Sequence, residues 1–263
     1  REHYDLSAEL YMSFLDPYNQ YTCGYFKNTD SLNVAQEQKL DLICKKLKLK
    51  KGDRVLDIGC GWGGFAKYAA EHYGVKVTGI TLSLEQLTYA KEFTKGLNVE
   101  IRLQDYRDLN GTFDKILVCG MIEHVGYKNY RELMSVVNKS LTDDGLFLLH
   151  TIGYHVSQKK GDAWMEKYIF PGGQLPSISQ LGKAIEGLFL IEDLHNFGAY
   201  YDPTLMKWFK NFDAAWPKLK EKYDERFYRM WKYYLLACAG TARARTNIYR
   251  KNVGEGRYKN RWR

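Results

Sequence analysis

The sequence predicts an α/β fold: a mostly parallel, seven-stranded sheet flanked by helices, with a helical, aromatic cap over one edge. Three observations carry this. Short apolar runs alternate with helix-periodic stretches up to Ile152, the order that gives a parallel sheet wound by right-handed crossovers. The first clean apolar run breaks into a glycine-rich turn, Gly59-Cys60-Gly61-Trp62-Gly63-Gly64. After Gly153 the alternation stops and an aromatic, turn-rich stretch begins.

Each element has its own signal. Residues 7–15 carry a short helical pattern within an aromatic stretch. In residues 33–48, Leu40, Ile43, Cys44 and Leu47 follow the i, i+3, i+4, i+7 spacing of a helix. Residues 54–58 read as the first strand, 64–73 as a helix and 75–81 as the second strand. Ser83 caps the next helix, with Gln86 three residues on as in a capping box. Residues 99–103, 113–119 and 146–152 are strands three to five, with a helix over 129–140. Residues 154–180, with Pro171-Gly172-Gly173 at their middle, read as an insertion over the sheet's carboxyl edge. Residues 188–195 read as a sixth strand, 205–234 as helix interrupted by Pro217, and 243–253 as a final strand, more polar than a sheet strand usually is. The expected organisation is one domain over 1–263: a helical lid (1–50), a cofactor-binding core (51–153), a cap with a further strand and helices (154–242) and a basic tail (243–263).

Composition narrows the class. A length of 263 residues suits one α/β domain with an elaborated cap. With 45% hydrophobic residues, 15% aromatics and 21 Tyr, the chain is globular, not disordered. No apolar run approaches the ~18 residues that span a bilayer, and Arg1-Glu2-His3-Tyr4-Asp5 is not a signal peptide. The missing initiator Met suggests a trimmed chain or part of a longer protein. Cys23, Cys44, Cys60, Cys119 and Cys238 are scattered without a C-x-x-C, which argues for a reducing, cytoplasmic compartment and against a cysteine metal site. Of the net charge of +8, residues 243–263 carry +7, from six Arg and two Lys less one Glu. With Tyr249, Tyr258 and Trp262 between the charges, that tail fits anionic lipid headgroups, nucleic acid or a plain solvated terminus.

The chemistry lies at the strand ends, where open α/β sheets bind ligands. Gly59, Gly61 and Gly63 lack a Cβ, so the turn can bend sharply and lie against a ligand. Trp62 and Phe65 crowd the place a pyrophosphate would take at a helix N-terminus, which argues against a dinucleotide. Asp57, just before the turn, can pair with an ammonium or sulfonium. The run Asp57-Ile58-Gly59-Cys60-Gly61-Trp62-Gly63 resembles motif I of the S-adenosylmethionine (SAM) methyltransferases. Many of those place an acid after strand two to hold the ribose; here Thr81-Leu82-Ser83 stands there, so Thr81 and Gln86 would have to help. Asp105 is placed to meet the adenine amino group. Taken singly, His150 reads first as a satisfied core histidine and only within the wider pattern as a ligand, and Cys23 reads as a small buried apolar residue.

Beyond motif I, the blocks Tyr21-Thr22-Cys23-Gly24-Tyr25-Phe26, Gly79-Ile80-Thr81-Leu82-Ser83, Gln104-Asp105-Tyr106-Arg107-Asp108, Gly120-Met121-Ile122-Glu123-His124-Val125-Gly126, His150-Thr151-Ile152-Gly153, Tyr168-Ile169-Phe170-Pro171-Gly172 and His195-Asn196-Phe197-Gly198-Ala199-Tyr200-Tyr201 resemble the cyclopropane-fatty-acyl-phospholipid synthases. The match runs from about Arg1 to Arg245. Mycolic acid cyclopropane synthases are related in function, and plant alkaloid N-methyltransferases share part of the pattern. The resemblance implies the class I SAM-dependent methyltransferase (Rossmann-like) fold. It also implies SAM as co-substrate, S-adenosylhomocysteine (SAH) as product and a cis-unsaturated phospholipid as substrate. Peripheral association with the anionic inner face of the membrane and a homodimer are implied too. Long members carry an N-terminal lipid-binding domain, and this chain begins where their catalytic domain would.

The implied cofactor-binding residues are Tyr21, Thr22, Asp57, Gly59, Gly61, Gly63, Thr81, Ser83, Gln86, Gln104 and Asp105. The implied catalytic set holds a bicarbonate ion: the backbone at Cys23, the Glu123 carboxylate, the His150 imidazole, the backbone at Ile152 and the Tyr201 hydroxyl. The rings of Tyr25, Phe26, Tyr127, Tyr168, Phe170 and Tyr200 are offered as faces for a cation, with no more than two expected to serve. Nothing assigns a role to His124, and no metal is expected. Nucleic acid is not an expected partner, because no Asn/Asp-Pro-Pro-aromatic base-flipping motif is present and the basic charge sits in the tail. The alternative activity is methyl transfer to a small amine on the same scaffold, in a polar pocket and without bicarbonate. A catalytically dead scaffold is disfavoured because Glu123, His150 and Tyr201 are all in place.

Overall fold

The computed structural model describes residues 7–245. In chain order, α1 (Ala8–Met12) and α2 (Leu32–Lys46) precede β1 (Arg54–Ile58), α3 (Gly64–Tyr73), β2 (Lys76–Thr81), α4 (Leu84–Phe93) and β3 (Val99–Leu103). Then come β4 (Phe113–Cys119), α5 (Tyr130–Ser140) and β5 (Leu141–His150). The cap follows as α6 (Ala163–Tyr168), α7 (Ile178–Ile185), α8 (Tyr201–Leu219) and α9 (Glu225–Ala244). The strands form one parallel sheet in the order β3-β2-β1-β4-β5. The chain steps outward from β1 to β3, then crosses back to β4, which leaves a crevice outside the carboxyl ends of β1 and β4.

Both faces of β1 are covered, as a parallel strand requires. Val55 joins Leu40, Ile43, Phe65 and Val77 on the α2–α3 side. Leu56 and Ile58 join Ile116, Val118 and Leu133 on the α5 side. A third core, dominated by aromatics, lies under the cap, where Tyr11, Phe14, Trp208, Phe212 and Trp231 are all buried.

The turn after β1 has Gly59, Gly61 and Gly63 at φ of 80°, 54° and 82°, a region L side chains rarely adopt. The N–H groups of Gly59 and Cys60 both donate to the Ile80 carbonyl at 3.0 Å, pinning the turn to the end of β2. Gly64 is needed for a different reason: a Cβ there would fall 1.7 Å from the Tyr18 carbonyl oxygen. The segment before α2 therefore crosses the start of α3 in backbone contact.

Several expectations are corrected. The described residues contain a five-stranded sheet, not seven strands. Residues 188–195 form no strand, and Leu190, Ile191 and Leu194 are 88%, 66% and 53% exposed. Their apolar character satisfied the pattern of a strand, but no sheet edge pairs with them among the described residues. Residues 243 and 244 finish α9, and the rest of the expected last strand, from 246 on, lies outside the described residues, as does most of the basic tail. β5 begins at Leu141, with an irregular register where Phe113 and Lys115 meet it. The expected 205–234 helix is two: α8 ends at Leu219, just past Pro217, and α9 starts after Asp224, whose carboxylate accepts the Phe227 N–H at 2.7 Å. The capping box before α4 is half formed. Ser83 Oγ accepts from the Gln86 N–H, but the Gln86 amide turns away and accepts from Thr81 Oγ1 at 2.7 Å. No described helix is long and apolar enough to cross a membrane.

Candidate active site

A cavity of about 1530 Å³ opens at the carboxyl ends of the strands. It exceeds the ~300–1,000 Å³ typical of a site for one small ligand. One arm is walled by the ends of β1, β2 and β3; the other runs between the β4 and β5 ends and the cap, past Trp164, Phe170, Tyr233 and Tyr234. Tyr21, Thr22, Cys23, Asp57, Gly59, Gly61, Thr81, Ser83, Gln86, Gln104, Asp105, Glu123, His150, Ile152 and Tyr201 all border this cavity. Gly63 does not. It begins α3 with its back to α4, where a Cβ would come within 3.0 Å of the Ala90 Cβ, so its glycine serves helix packing.

In the first arm, Gly61 has open space where a Cβ would point, which leaves backbone exposed to a ligand. Asp57 is buried, and burial holds its carboxyl well above the usual carboxylate range, with the nearby Lys39 ammonium pulling the other way. Such a carboxyl gains from a cationic ligand. Asp105 is committed to Arg107: Oδ1 accepts from the Arg107 N–H and Nε at 2.9 Å each, and Oδ2 from Nη2 at 2.7 Å. The side-chain bonds to Arg107 hold the Asp105 carboxyl below its ordinary value. Gln104 Nε2 donates to the Asp108 carbonyl at 2.9 Å and braces the same loop.

The second arm centres on Glu123. Its Oε1 accepts from the Ile152 N–H and from Thr151 Oγ1, both at 2.8 Å. Its Oε2 is buried with no hydrogen-bond partner. Burial raises the Glu123 pKa, with the two bonds opposing. The Ile152 N–H is thus spent on Glu123. His150 places Nδ1 3.2 Å from Cys119 Sγ and stacks on Phe197, with centroids 5.4 Å apart. Burial, then the Lys39 charge, pushes its pKa down to about 4, so the ring is neutral near pH 7. Burial keeps Tyr201 a phenol, and its electrostatic neighbours include Tyr234, Cys23 and Glu123. Burial pushes the Cys23 thiol up to about 12; it is no nucleophile, and it donates to the Gly24 carbonyl at 3.4 Å.

Of the rings offered for a cation, Phe170 borders the cavity. Tyr25 and Tyr200 sit behind it, packed around Phe197, and Phe26 is buried in the cap core. Two residues went unread in the sequence. Gln174 ties the cap to the Glu123 segment: its N–H donates to the Glu123 carbonyl (2.7 Å), its Oε1 accepts the Tyr127 N–H (3.1 Å) and its Nε2 donates to the Gln158 carbonyl (2.7 Å). A lone Gln in a turn-rich stretch gives no signal. Lys39 is fully buried, and a signal existed: it lies within the stripe Ala35, Gln36, Leu40, Ile43 that α2 buries.

This sheet order, with a glycine turn after its central strand and a cavity at that turn, defines the SAM-dependent methyltransferase fold. Residues 1–250 match the family described as mycolic acid cyclopropane synthetase, and the chain belongs to that family. It is 55% identical over 245 residues to the cyclopropane-fatty-acyl-phospholipid synthase of Escherichia coli (strain K12), covering 93% of this chain and 64% of that one. It is 38% identical over 262 residues to sphingolipid C9-methyltransferase A of Emericella nidulans, covering 92% of this chain and 50% of that one. The fold superposes on mycolic acid cyclopropane synthase CmaA1 complexed with SAH and CTAB with a TM-score of 0.86 at 32% identity, over 92% of this chain and 91% of that one. The chain thus spans 64% and 50% of the length of these two curated relatives.

Proposed function

We propose that this protein transfers the methyl(ene) group of SAM to a cis double bond in the acyl chain of a membrane phospholipid and closes a cyclopropane ring. The observation that carries this reading is the unpartnered, buried Glu123 Oε2 beside an arm walled by Trp164, Phe170 and Tyr234. The aromatic wall of this arm suits an acyl chain lying along it, and an orphaned carboxyl oxygen calls for a small polar ligand. The likeness to the E. coli synthase supports the same substrate class.

The first arm fits SAM: Gly61 leaves room for close backbone approach, and Asp57 borders the same cavity, where its carboxyl would meet the sulfonium or ammonium. An alkene is a weak nucleophile, so alignment of the two partners supplies much of the rate. Methyl transfer leaves a carbocation on the acyl chain. A proton then leaves the added methyl group for a base, and the freed C–H electron pair closes the ring. The proposed base is bicarbonate, held by Glu123, His150, Tyr201 and the backbone near Cys23. A carboxylate beside an anion is unfavourable, and burial, which raises the Glu123 pKa, eases this by favouring one proton shared between Oε2 and the bound ion. His150 is neutral and donates one N–H; Tyr201 donates its O–H. The protein would act at the anionic inner face of the membrane, with the basic residues after 243 contributing ~1 kcal/mol per charge near the surface.

The test is incubation with SAM and vesicles of cis-unsaturated phospholipid, with and without bicarbonate, followed by mass spectrometry of the acyl chains. Gain of one CH2 with loss of the alkene, stimulated by bicarbonate, is expected. The same gain with the alkene retained would mean methyl addition without ring closure, the outcome that the sphingolipid methyltransferase relative suggests. An unchanged lipid with SAM still bound would favour an amine substrate. Removing residues from 254 on is expected to weaken binding to anionic vesicles more than to neutral ones; equal loss on both would overturn the docking role.

A further inference from the structure

Lys39 takes no part in the proposed reaction. It sits in the middle of α2 with no exposed surface. Its Nζ donates to Thr22 Oγ1 at 2.8 Å and to Gln20 Oε1. Burial lowers the Lys39 pKa, with the charges of Asp16 and Asp57 among those opposing; as an ammonium it carries only donors, so Thr22 accepts from it and the Thr22 hydroxyl hydrogen points elsewhere. Thr22 Oγ1 lies 3.8 Å from Cys119 Sγ, within the longer reach of a sulfur acceptor. Cys119 in turn lies opposite His150 in the β4–β5 pairing, with Sγ 3.2 Å from Nδ1.

These four groups form one directed chain, and we propose that Lys39 sets its direction and thereby the tautomer of His150. Lys39 donates to Thr22, Thr22 donates to Cys119, and the Cys119 S–H donates to a bare Nδ1. The ring proton then resides on Nε2, the nitrogen left to serve the cavity. The reverse order requires an Nδ1–H donating to sulfur, a weak acceptor, and a thiol donating to Thr22. Thr22 would then accept twice, and its own hydrogen would find no acceptor among these groups. Burial and the Lys39 charge both hold the imidazole neutral, the state in which a tautomer choice exists. Lys39 is a positioning residue: it acts on His150 through two intervening side chains. Its consequence for catalysis rests on the proposed anion site, where a fixed Nε2–H donates to bicarbonate; the tautomer itself does not.

The test is ¹⁵N NMR of histidine-labelled protein, with the His150 signal assigned by its loss in His150→Gln. The wild type is expected to show a protonated Nε2 and a bare Nδ1. Lys39→Met and Cys119→Ala are expected to give a mixture of tautomers, and Cys119→Ser, which keeps a donor, to restore the single one. In Lys39→Met, kcat should fall in proportion to the Nε2–H tautomer lost, about 2-fold for an even mixture, with KM for the lipid nearly unchanged. A purely structural Lys39 would leave the tautomer untouched. A protonated Nδ1 in the wild type overturns the inference even if no variant folds. So does a single Nε2–H tautomer persisting in folded Cys119→Ala or Lys39→Met. If the tautomer follows Lys39 while no cyclopropane forms, the functional reading fails and this one stands.

Discussion

The two arms of the cavity are built in opposite ways. In the first, the polar side chains after β2 and β3 are held by neighbours close in sequence: Thr81 by Gln86, Ser83 by the Gln86 N–H, Asp105 by Arg107. In the second, support comes from far along the chain: Glu123 Oε1 accepts from the Ile152 N–H, the Glu123 carbonyl accepts from the Gln174 N–H, and His150 Nδ1 meets Cys119 Sγ. A locally built wall tolerates changes in the rest of the fold. A wall assembled from distant segments needs the cap in place before its geometry exists. The first arm should therefore govern cofactor affinity and the second turnover.

Glu123→Gln should have the largest effect, cutting turnover ~100–1,000-fold while SAM affinity, measured by calorimetry, changes little. Normal turnover at limiting bicarbonate would break the anion-site reading. The same variant sharpens the comparison through pH. Burial raises the folded pKa of Glu123 above its ordinary 4.5, so its favourable contribution is complete below pH 4.5 and is lost as pH rises through the folded value. Gln does not titrate. Glu123→Gln should therefore melt above the wild type at pH 8, with the gap closing toward pH 4.5.

Gly64→Ala should destabilise the fold by about 3 kcal/mol or more in denaturant titration, because backbone lies where the Cβ must go. Asp57→Asn should weaken SAM binding ~10-fold, about one lost charge contact, with a smaller change in kcat. If kcat fell instead, the division between the arms would fail. Gln174→Leu should be milder, lowering kcat by less than ~10-fold at unchanged SAM affinity, since it loosens the Glu123 segment by a few neutral hydrogen bonds.

The same division governed what could be read in advance. Strands β1, β3 and β4 and helix α3 lie where the pattern placed them, because each reports its own burial through its own periodicity. Residues 188–195 failed for the complementary reason: an apolar run declares a wish for burial but names no partner, and Leu190 is left in solvent. The glycine motif was legible as a motif, yet Gly63 and Gly64 exchange importance. Only the crossing of the segment at Tyr18 shows that Gly64 is the position with no room.

The sequence by itself determined the alternation of elements, the turn after β1 and the residue types at the strand ends. These depend on local conformational preference and on which face of an element seeks burial. The tertiary structure decided the number of strands that pair, the loss of the Ile152 N–H to Glu123, the clamp by Gln174 and the chain from Lys39 to His150. Each of these rests on hydrogen bonds between groups apart in sequence. A periodicity sets which way a side chain faces, but only the packed fold sets what it meets there.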